Sequence, residues 1–290
     1  MDKIDILGVP HAYELTPPIA NSQTPVLIFI HGWLLSRQYW QPLIASFRDR
    51  YQCLLYDLRG FGESQLADIP RQKHLSYTLE AYARDLEILL EQLNISRCWA
   101  IGHSLGGSIA LWGADLLPET IEGVICLNAG GGIYLKEEFE RFRNIGQKIV
   151  KYRPRWLQRL SLLELLFART MVVQPLARHW GKQRLLDFIN ADAQAALGSL
   201  LETTTESEVH HLPQIVARLE QPVYFLAGAK DRIMEPKYVR HLASFHSLFH
   251  PVGENAIEIA NCGHLAMVEQ TEGVRVQITS ILERHACGDR

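Results

Sequence analysis

The sequence lacks a strong excess of either charge. Its 29 lysine and arginine residues nearly balance its 32 aspartate and glutamate residues, which gives a formal net charge of −3 at pH 7. Proteins that bind nucleic acid neutralise phosphate groups with clustered basic side chains, and an excess of lysine and arginine is their usual signature. We therefore expect no nucleic-acid partner.

Long apolar runs are also missing. No window reaches the ~20 apolar residues of a membrane-spanning helix. The first fifteen residues contain acidic side chains and no long apolar run, so they do not resemble a secretory signal peptide. There is no internal repeat and no low-complexity tract. These absences predict a chain with neither a membrane span nor a signal peptide.

Cysteines are few, odd in number and without C-x-x-C spacing, and they are Cys53, Cys98, Cys126, Cys262 and Cys287. Three of them lie in apolar, strand-like runs, which is typical of buried reduced thiols rather than of a disulfide framework. This pattern favours a reducing compartment. We therefore expect a cytoplasmic protein.

What the sequence does contain is enough apolar material for a large core. It has 290 residues, of which 47% are hydrophobic and 21% charged, so it forms one large domain or one domain with an insertion. A hairpin of two short strands is predicted around Gly8-Val9-Pro10, at residues 3–7 and 12–15. Buried strands are predicted from apolar runs at 26–30, 53–56, 98–101, 124–127 and 223–226, and a last strand is predicted at 256–259.

Helical patterns alternate with these strands, and they lie at residues 36–50, 79–93, 105–116, 236–244 and 274–284. Alternating strands and helices form right-handed crossovers and a parallel sheet. The predicted fold class is α/β, with a mostly parallel sheet of about eight strands flanked by helices. Between residues 133 and 211 only helical patterns are found. We predict that 133–211 form a helical cap inserted into a core of 1–132 and 212–290.

The stretch with the clearest chemistry is Gly102-His103-Ser104-Leu105-Gly106, a G-x-S-x-G pattern between a strand and a helix. A serine at such a sharp turn projects its hydroxyl clear of the chain, and glycines on either side avoid collisions. The helix that follows points its free N–H groups at the reacting centre. The alternative is that Ser104 only caps the helix. The strand–turn–helix context favours a nucleophile.

In these features the chain resembles the α/β-hydrolase superfamily along nearly its whole length. The matching pieces are His31-Gly32-Trp33, residues 57–64, the turn at Ser104, residues 228–231 and Gly263-His264. They occur in this order at strand ends, where parallel sheets form their sites. The resemblance implies an enzyme similar to serine esterases and lipases, with a helical cap and without a metal or organic cofactor.

The resemblance also implies an acid and a base for Ser104, in the chain order serine, acid, histidine. His264 follows the last predicted strand and matches the base. Asp231 directly follows a strand and matches the acid that orients the imidazole. Asp57 also ends a strand, but it precedes the serine, and Asn128 stands at another position that some members use for the acid. We predict Ser104, Asp231 and His264 as the catalytic residues.

The loop His31-Gly32-Trp33 resembles the oxyanion loop of this family. The resemblance implies that the backbone N–H groups of Trp33 and Leu105 bind the oxyanion. The loss of one such donor typically lowers the rate by about 10²–10³. The Trp33 ring would either line the substrate pocket or only pack.

The predicted cap carries a run of basic residues that no acid interrupts, namely Arg141, Arg143, Lys148, Lys151, Arg153, Arg155 and Arg159. Apolar residues at helical spacing follow Pro154, and two of them, Trp156 and Phe167, join Trp33 as candidate pocket residues. One interpretation is a lid with solvated charges. The other is a basic amphipathic lid in peripheral contact with a membrane, through which a lipid-like ester enters.

The main hypothesis is a serine hydrolase that cleaves a small-molecule or lipid-like carboxylic ester of apolar character through an acyl-enzyme. Carbon–carbon bond hydrolases or lyases of the same fold are less favoured, because Trp33-Leu34-Leu35 stands where those hydrolases have a glycine-rich loop. Cofactor-free perhydrolases share the triad. A non-catalytic ligand receptor is the alternative from another class, because a fold alone does not determine function.

Overall fold

A computed structural model describes residues 2–20, 24–66, 75–130, 136–250 and 252–286. Its centre is a sheet with the strand order β1-β2-β4-β3-β5-β6-β7-β8. The strands are β1 Asp2–Ile6, β2 Val9–Leu15, β3 Val26–Ile30, β4 Cys53–Tyr56, β5 Cys98–His103, β6 Ile121–Leu127, β7 Val223–Gly228 and β8 Ala256–Ile259. The six strands β4, β3, β5, β6, β7 and β8, taken in their order across the sheet, are parallel to one another. Strand β2 is antiparallel to both of its neighbours, β1 and β4. The predicted α/β class with about eight mostly parallel strands is confirmed.

Helices cover both faces of this sheet. They are α1 Gln41–Phe47, α2 Leu79–Gln92, α3 Leu105–Leu116, α4 Lys136–Lys151, α5 Ser161–Phe167, α6 Arg178–Asn190, α7 Ala193–Glu202, α8 Glu206–Arg218, α9 Pro236–Ala243, α10 Ala266–Glu269 and α11 Thr271–Ala286. Short 3₁₀ segments lie at Arg37–Trp40, Arg155–Arg159 and Ser247–Phe249. No helix in the described ranges has both the length and the apolarity needed to cross a membrane.

The buried strands form two cores because successive side chains of a strand point to opposite faces. In β3, Ile28 and Ile30 pack on the side of α2, α3 and α8, while Leu27 and Phe29 pack on the side of α1 and α11. All four side chains have no exposed surface. A continuous apolar run therefore specifies a strand that is covered on both faces.

The hairpin at the start of the chain turns one residue earlier than the sequence analysis predicted. Leu7 and Gly8 have φ angles of 53° and 83°, and together they form the turn, whereas Val9 and Pro10 already belong to β2. A two-residue hairpin turn of type I′ needs both central residues in the left-handed region. The proline ring fixes φ near −65° and excludes Pro10 from that role.

The described part of the segment predicted as the cap contains helices joined by turns and loops. Helices α4 to α7 lie in residues 136–202, where no strand is found, and the predicted boundary at residue 132 lies outside the described residues. Helix α8 crosses the predicted boundary at residue 211, and its buried Leu212, Ile215 and Val216 pack in the core beside the sheet. We propose that the chain returns from the cap at Thr205, whose side chain caps α8.

The cap is tied to the loops that follow β3 and β4. The indole nitrogen of Trp33 donates to the carbonyl of Ala196 on α7 at 2.9 Å. The amide of Asp192 donates to the carbonyl of Gly60 at 2.8 Å. These contacts join the cap to the edge of the sheet where the parallel strands end, which is the edge where sites form in such sheets.

A buried carboxyl group lies at one joint between cap and core. Asp187 of α6 is 6% exposed, and it accepts hydrogen bonds from the Ser36 hydroxyl and the Gln183 amide, both at 3.0 Å. Burial raises the pKa of Asp187 from 3.8 to about 7, against the opposing effect of the Ser36 hydrogen bond. The folded state therefore holds a proton on this carboxyl group over a pH range in which the unfolded chain does not.

We expect this joint to weaken as the pH rises. When the pKa of a carboxyl group is higher in the folded state than in the unfolded state, protonation adds to the free energy of unfolding. This contribution is fully present below the pKa of the unfolded state, and it is lost as the pH rises through the pKa of the folded state. Between pH 5 and pH 8 the free energy of unfolding should fall by at most about 3 kcal/mol through this group, because one pKa unit corresponds to about 1.4 kcal/mol. Asp187→Asn should remove this loss, and urea denaturation of both proteins at the two pH values measures it. Parallel pH profiles for parent and variant would contradict the assignment.

Candidate active site

Ser104 stands at a strained turn between β5, which ends at His103, and α3, which begins at Leu105. Its φ and ψ angles are 51° and −117°, outside the regions that most residues other than glycine adopt. A β-carbon at Gly102 would lie 2.1 Å from the carbonyl oxygen of Gly106. One at Gly106 would lie 2.2 Å from the carbonyl oxygen of Ile30. Both glycines of the G-x-S-x-G pattern are therefore required by close backbone packing.

His264 and Asp231 form a buried pair on two neighbouring loops. Asp231 follows β7, and His264 follows β8. The Nδ1 atom of His264 donates to Oδ2 of Asp231 at 2.7 Å, and the two side chains are 5% and 0% exposed. A proton held on Nδ1 leaves Nε2 as the basic nitrogen of the neutral ring. The structure thus joins the predicted base to the predicted acid.

The surroundings of Asp231 favour its ionised form. Burial, the largest single influence, would raise the pKa of Asp231, but the charge and hydrogen bond of His264 lower it. The Oδ1 atom also accepts hydrogen bonds from the amides of Ile233 and Met234, at 2.8 and 3.1 Å. Together these contacts hold the pKa of Asp231 below its ordinary value. A carboxylate is therefore available to orient and stabilise the imidazole.

Asn128 supports this pair from the end of β6. Its side-chain amide donates to Oδ2 of Asp231 at 2.8 Å and to the carbonyl oxygen of Gly263 at 3.1 Å. Asn128 is fully buried and has a φ of 51°. Sequence reasoning considered this position only as an alternative place for the acid. Its location at a strand end was the available signal, because such ends converge at one edge of a parallel sheet.

His103, the residue before Ser104, supports the loop that carries His264. Its Nε2 atom donates to the carbonyl oxygen of His264 at 2.7 Å, and the two ring centroids are 4.8 Å apart. Burial and then the neighbouring His264 lower the pKa of His103 to about 3. His103 is therefore neutral at physiological pH and acts as a hydrogen-bond donor. In the sequence, His103 stands within the G-x-S-x-G pattern, which gives no signal of this contact.

The cap also contacts the loop that carries His264. The backbone amide of His264 donates to the carbonyl oxygen of Met171 at 2.8 Å. The Glu269 carboxylate accepts from the amide of Gly263 at 2.7 Å and from those of Val173 and Gln174 at 2.6 and 2.8 Å. One carboxylate thus links the cap segment to the histidine loop. This link joins residues that are far apart in the sequence.

The two residues expected to supply the oxyanion donors both line the cavity that contains Ser104. Leu105 is the first residue of α3, so its N–H is one of the first-turn donors that have no partner within the helix. Trp33 lies just after β3. Their role as donors to an oxyanion is a proposal that this placement supports.

Asp57, the other acid at a strand end, has a structural partner. Its carboxylate accepts hydrogen bonds from the backbone amide and the guanidinium group of Arg37 and from the amide of Glu63. Arg37 is itself buried and also contacts the carboxylates of Glu14 and Glu63. The carboxylate of Asp57 is therefore used in an ion-pair network that fixes the loop after β4.

A cavity of about 500 Å³ lies between the cap and the sheet. Ser104, His264 and Trp33 line it from the core, and Phe167 and Leu200 line it from the cap. Most of its surface is apolar, and its size lies within the range of small-molecule sites. The expected placement of Trp33 and Phe167 at a pocket agrees with this geometry.

Trp156 does not line this cavity, contrary to our expectation. Its side chain is 58% exposed. The helical spacing of the apolar residues after Pro154 predicts one amphipathic helix there. Instead a 3₁₀ segment ends at Arg159, Leu160 adopts extended angles of −90° and 95°, and α5 begins at Ser161. This break changes the helical phase, so that Trp156 and Phe167 do not share a face.

The described residues contain no group of three or more histidine, cysteine, aspartate or glutamate side chains arranged to hold a metal ion. Cys53, Cys98, Cys126 and Cys262 are buried free thiols, and Cys287 lies outside the described residues. Burial raises the pKa of the Cys262 thiol to about 12, so this thiol near His264 is protonated at neutral pH. None of the four has the lowered pKa of a reactive thiolate.

Comparison with known proteins adds independent information. A family model described as the alpha/beta hydrolase fold matches residues 25–271. The chain is 35% identical over 121 residues to an uncharacterised protein of Mycobacterium bovis, a match that covers 42% of this chain and 33% of that protein. The similarity thus spans about a third of that relative's length. A longer match, 25% identical over 275 residues and covering 91% of each chain, is to 3-oxoadipate enol-lactonase 2 of Acinetobacter baylyi.

Solved structures resemble the whole chain. A thermophilic esterase from Thermogutta terrifontis has a TM-score of 0.74 at 21% identity, covering 98% of this chain and 99% of that chain. The enol-lactonase from Burkholderia xenovorans has a TM-score of 0.75 at 18% identity, covering 97% of this chain and all of that chain. At these identities the likeness establishes the fold.

Proposed function

The chain belongs to the alpha/beta hydrolase family, and on this premise we propose that it is a serine hydrolase that cleaves carboxylic esters of apolar character through an acyl-enzyme. One observation carries the proposal. The strained Ser104 and the imidazole of His264 line the same apolar cavity, and Asp231 holds that imidazole by a hydrogen bond to Nδ1. Nucleophile, base and orienting acid at one pocket are the parts that acyl transfer requires.

In the proposed mechanism the Ser104 hydroxyl oxygen attacks the ester carbonyl carbon while Nε2 of His264 accepts its proton. The backbone N–H groups of Trp33 and Leu105 donate to the oxyanion. The alcohol leaves with the proton from His264, and an acyl-enzyme remains on Ser104. Water then attacks the acyl carbon, and the same nitrogen accepts its proton and returns one to the serine oxygen. Asp231 stays ionised and keeps the proton of the imidazole on Nδ1.

Two further observations support an ester as the substrate. The names of two relatives describe an esterase and an enol-lactonase, and a lactone is an internal ester. The cavity between cap and sheet is mainly apolar, and its few polar groups include Ser104 and His264. An apolar acyl chain would fill such a space and remove its surface from water.

We expect activity to rise with acyl chain length and Phe167 to contribute to that rise. Each added methylene that the cavity buries adds up to about 0.8 kcal/mol of binding, so kcat/KM should increase from acetate to medium-chain esters. Phe167→Ala should lower kcat/KM for the hexanoate ester more than for the acetate ester. A series of p-nitrophenyl esters measures this ratio for parent and variant.

Trp156→Ala is the matched control, because Trp156 lies on the same cap segment but outside the cavity. This substitution should not change how kcat/KM for soluble esters depends on acyl chain length. Equal losses for Phe167→Ala on short and long esters would mean that Phe167 only holds the cap together. A parent protein that prefers acetate would contradict the proposal of an apolar acyl chain.

A further inference from the structure

The exposed apolar residues of this protein are concentrated in one segment. Fifteen large apolar side chains are exposed in the described part of the chain, and ten of them lie between residues 145 and 173. They are Ile145, Ile149, Tyr152, Trp156, Leu160, Leu162, Leu165, Leu166, Met171 and Val173. Scattered single apolar residues are ordinary on a protein surface, but a concentrated group marks an interaction site.

Helical spacing brings these residues together. Ile145 and Ile149 lie one turn apart on a single face at the end of α4, and Tyr152 follows directly after the helix. In α5, Leu162, Leu165 and Leu166 likewise form one face. We call the surface that carries the ten exposed apolar residues between 145 and 173 the cap face.

The cap face reaches the mouth of the active-site cavity. Ile149 and Met171 are 40% and 42% exposed, and both also line the cavity. Because both residues are exposed and also line the cavity, we infer that they stand at its opening. The apolar surface of the cap is therefore continuous with the apolar interior of the site.

Basic side chains accompany these apolar residues. Three acids, Glu137, Glu138 and Glu140, lie in the first turns of α4. From residue 141 to 173 there are eight basic residues and one acid, Glu164, which pairs with Arg178 and has a 13% exposed side chain. Arg143 and Arg153 turn inward to backbone carbonyl groups of α7 and α6. The other six basic residues are exposed, and they are Arg141, Lys148, Lys151, Arg155, Arg159 and Arg169. The cap face is thus positive although the whole chain has a net charge of −3.

We propose that the cap face binds the surface of an anionic lipid bilayer and so turns the cavity mouth toward the lipid. Basic side chains beside exposed leucine and tryptophan are the composition of interfacial segments, in which the charges meet anionic headgroups and the apolar groups enter the acyl boundary. Tyrosine and tryptophan suit this boundary because each has an apolar body and a polar tip. A second copy of the chain fits less well, because a two-fold contact would bring two positive faces together.

This proposal goes beyond the proposed function and does not depend on it, because adsorption to a bilayer needs no turnover. The test uses Ser104→Ala protein, so that no lipid is hydrolysed, and sedimentation with vesicles. Binding to phosphatidylcholine vesicles is compared with binding to vesicles that also contain phosphatidylglycerol. We expect clear binding only to the anionic vesicles, and weaker binding at high salt.

Two variants in this background separate the two parts of the surface. Trp156→Ser with Leu162→Ser removes apolar contacts, and Arg155→Glu with Arg159→Glu reverses two charges, so each should weaken binding roughly tenfold or more. The matched control is Val276→Ser with Arg48→Glu, which changes exposed residues away from the cap and should bind as the parent does. Each pair of changes, made with Ser104 intact, should retain parent circular dichroism and turnover of a soluble ester.

Three outcomes would overturn the proposal. The Ser104→Ala protein could bind both kinds of vesicle equally or neither. Both cap variants could bind the anionic vesicles as tightly as the control. Light scattering could also show a dimer that Trp156→Ser with Leu162→Ser dissociates, in which case the surface would serve contact between two copies of the chain.

Discussion

Ser104→Ala is expected to abolish ester hydrolysis while leaving the fold intact. The substitution removes only the hydroxyl oxygen, whereas φ of 51° and the packing of the turn are set by the backbone of Gly102 and Gly106. Loss of the nucleophile removes most of the roughly 10⁶-fold acceleration typical of triad enzymes. Steady-state turnover of a p-nitrophenyl ester by parent and variant measures the effect.

The comparison needs a check on folding and on contaminating esterases. Circular dichroism and the thermal midpoint of the variant should match those of the parent, because the hydroxyl is not part of the core. Any residual turnover in the variant preparation should not exceed that of a mock purification from cells that lack the protein. It should also not rise in proportion to the concentration of the variant. A variant within a few-fold of the parent would exclude Ser104 as the nucleophile.

Asp231→Asn should lower turnover by about 10⁴ while substrate binding changes little. In the parent, Oδ2 of Asp231 accepts the Nδ1 proton of His264 at 2.7 Å and so keeps Nε2 free as the base. An amide would present its N–H group to the imidazole and favour the opposite tautomer. It would also lose the negative charge that stabilises the imidazolium during the reaction. The measurement is kcat and KM for the same ester, and we expect kcat to fall while KM changes little.

Asp57→Asn is the matched comparison, because Asp57 is the other fully buried acid at a strand end. Its partner is Arg37, so this change should reduce stability by a few kcal/mol and leave kcat of the folded fraction near that of the parent. Urea denaturation separates the two effects. If Asp57→Asn lowered kcat by orders of magnitude while Asp231→Asn remained near normal, the proposed acid would be wrong.

The sheet and the turn at Ser104 could be predicted because their signals are local. Continuous apolar runs specified β3 and β4 at the residues where the structure has them, and the run at 256–259 matches β8. The turn at Ser104 needs glycines at fixed positions on either side of the serine, so a short sequence pattern reveals it. Each of these features depends on neighbours in the chain, and sequence order is sufficient to find it.

The remaining parts of the site depend on contacts between distant segments. Asn128 lies 103 residues before Asp231, and Glu269 binds amides of the cap 95 and 96 residues before it. No periodicity or motif reports such contacts. Trp156 was misplaced for a related reason, because the break at Leu160 that turns it outward is a backbone conformation that the apolar spacing does not reveal.

Titration with a fluorophosphonate tests the central claim, that Ser104 is the nucleophile of a working hydrolase, most directly. The parent protein is treated with increasing amounts of the reagent, and each sample is divided between an ester assay and peptide mass spectrometry. The account predicts that turnover falls in proportion to the label and reaches zero when one equivalent is bound to Ser104, while Ser104→Ala takes up no label at that position. Full turnover in protein labelled at Ser104, or a loss of turnover that follows labelling of another residue, would contradict it.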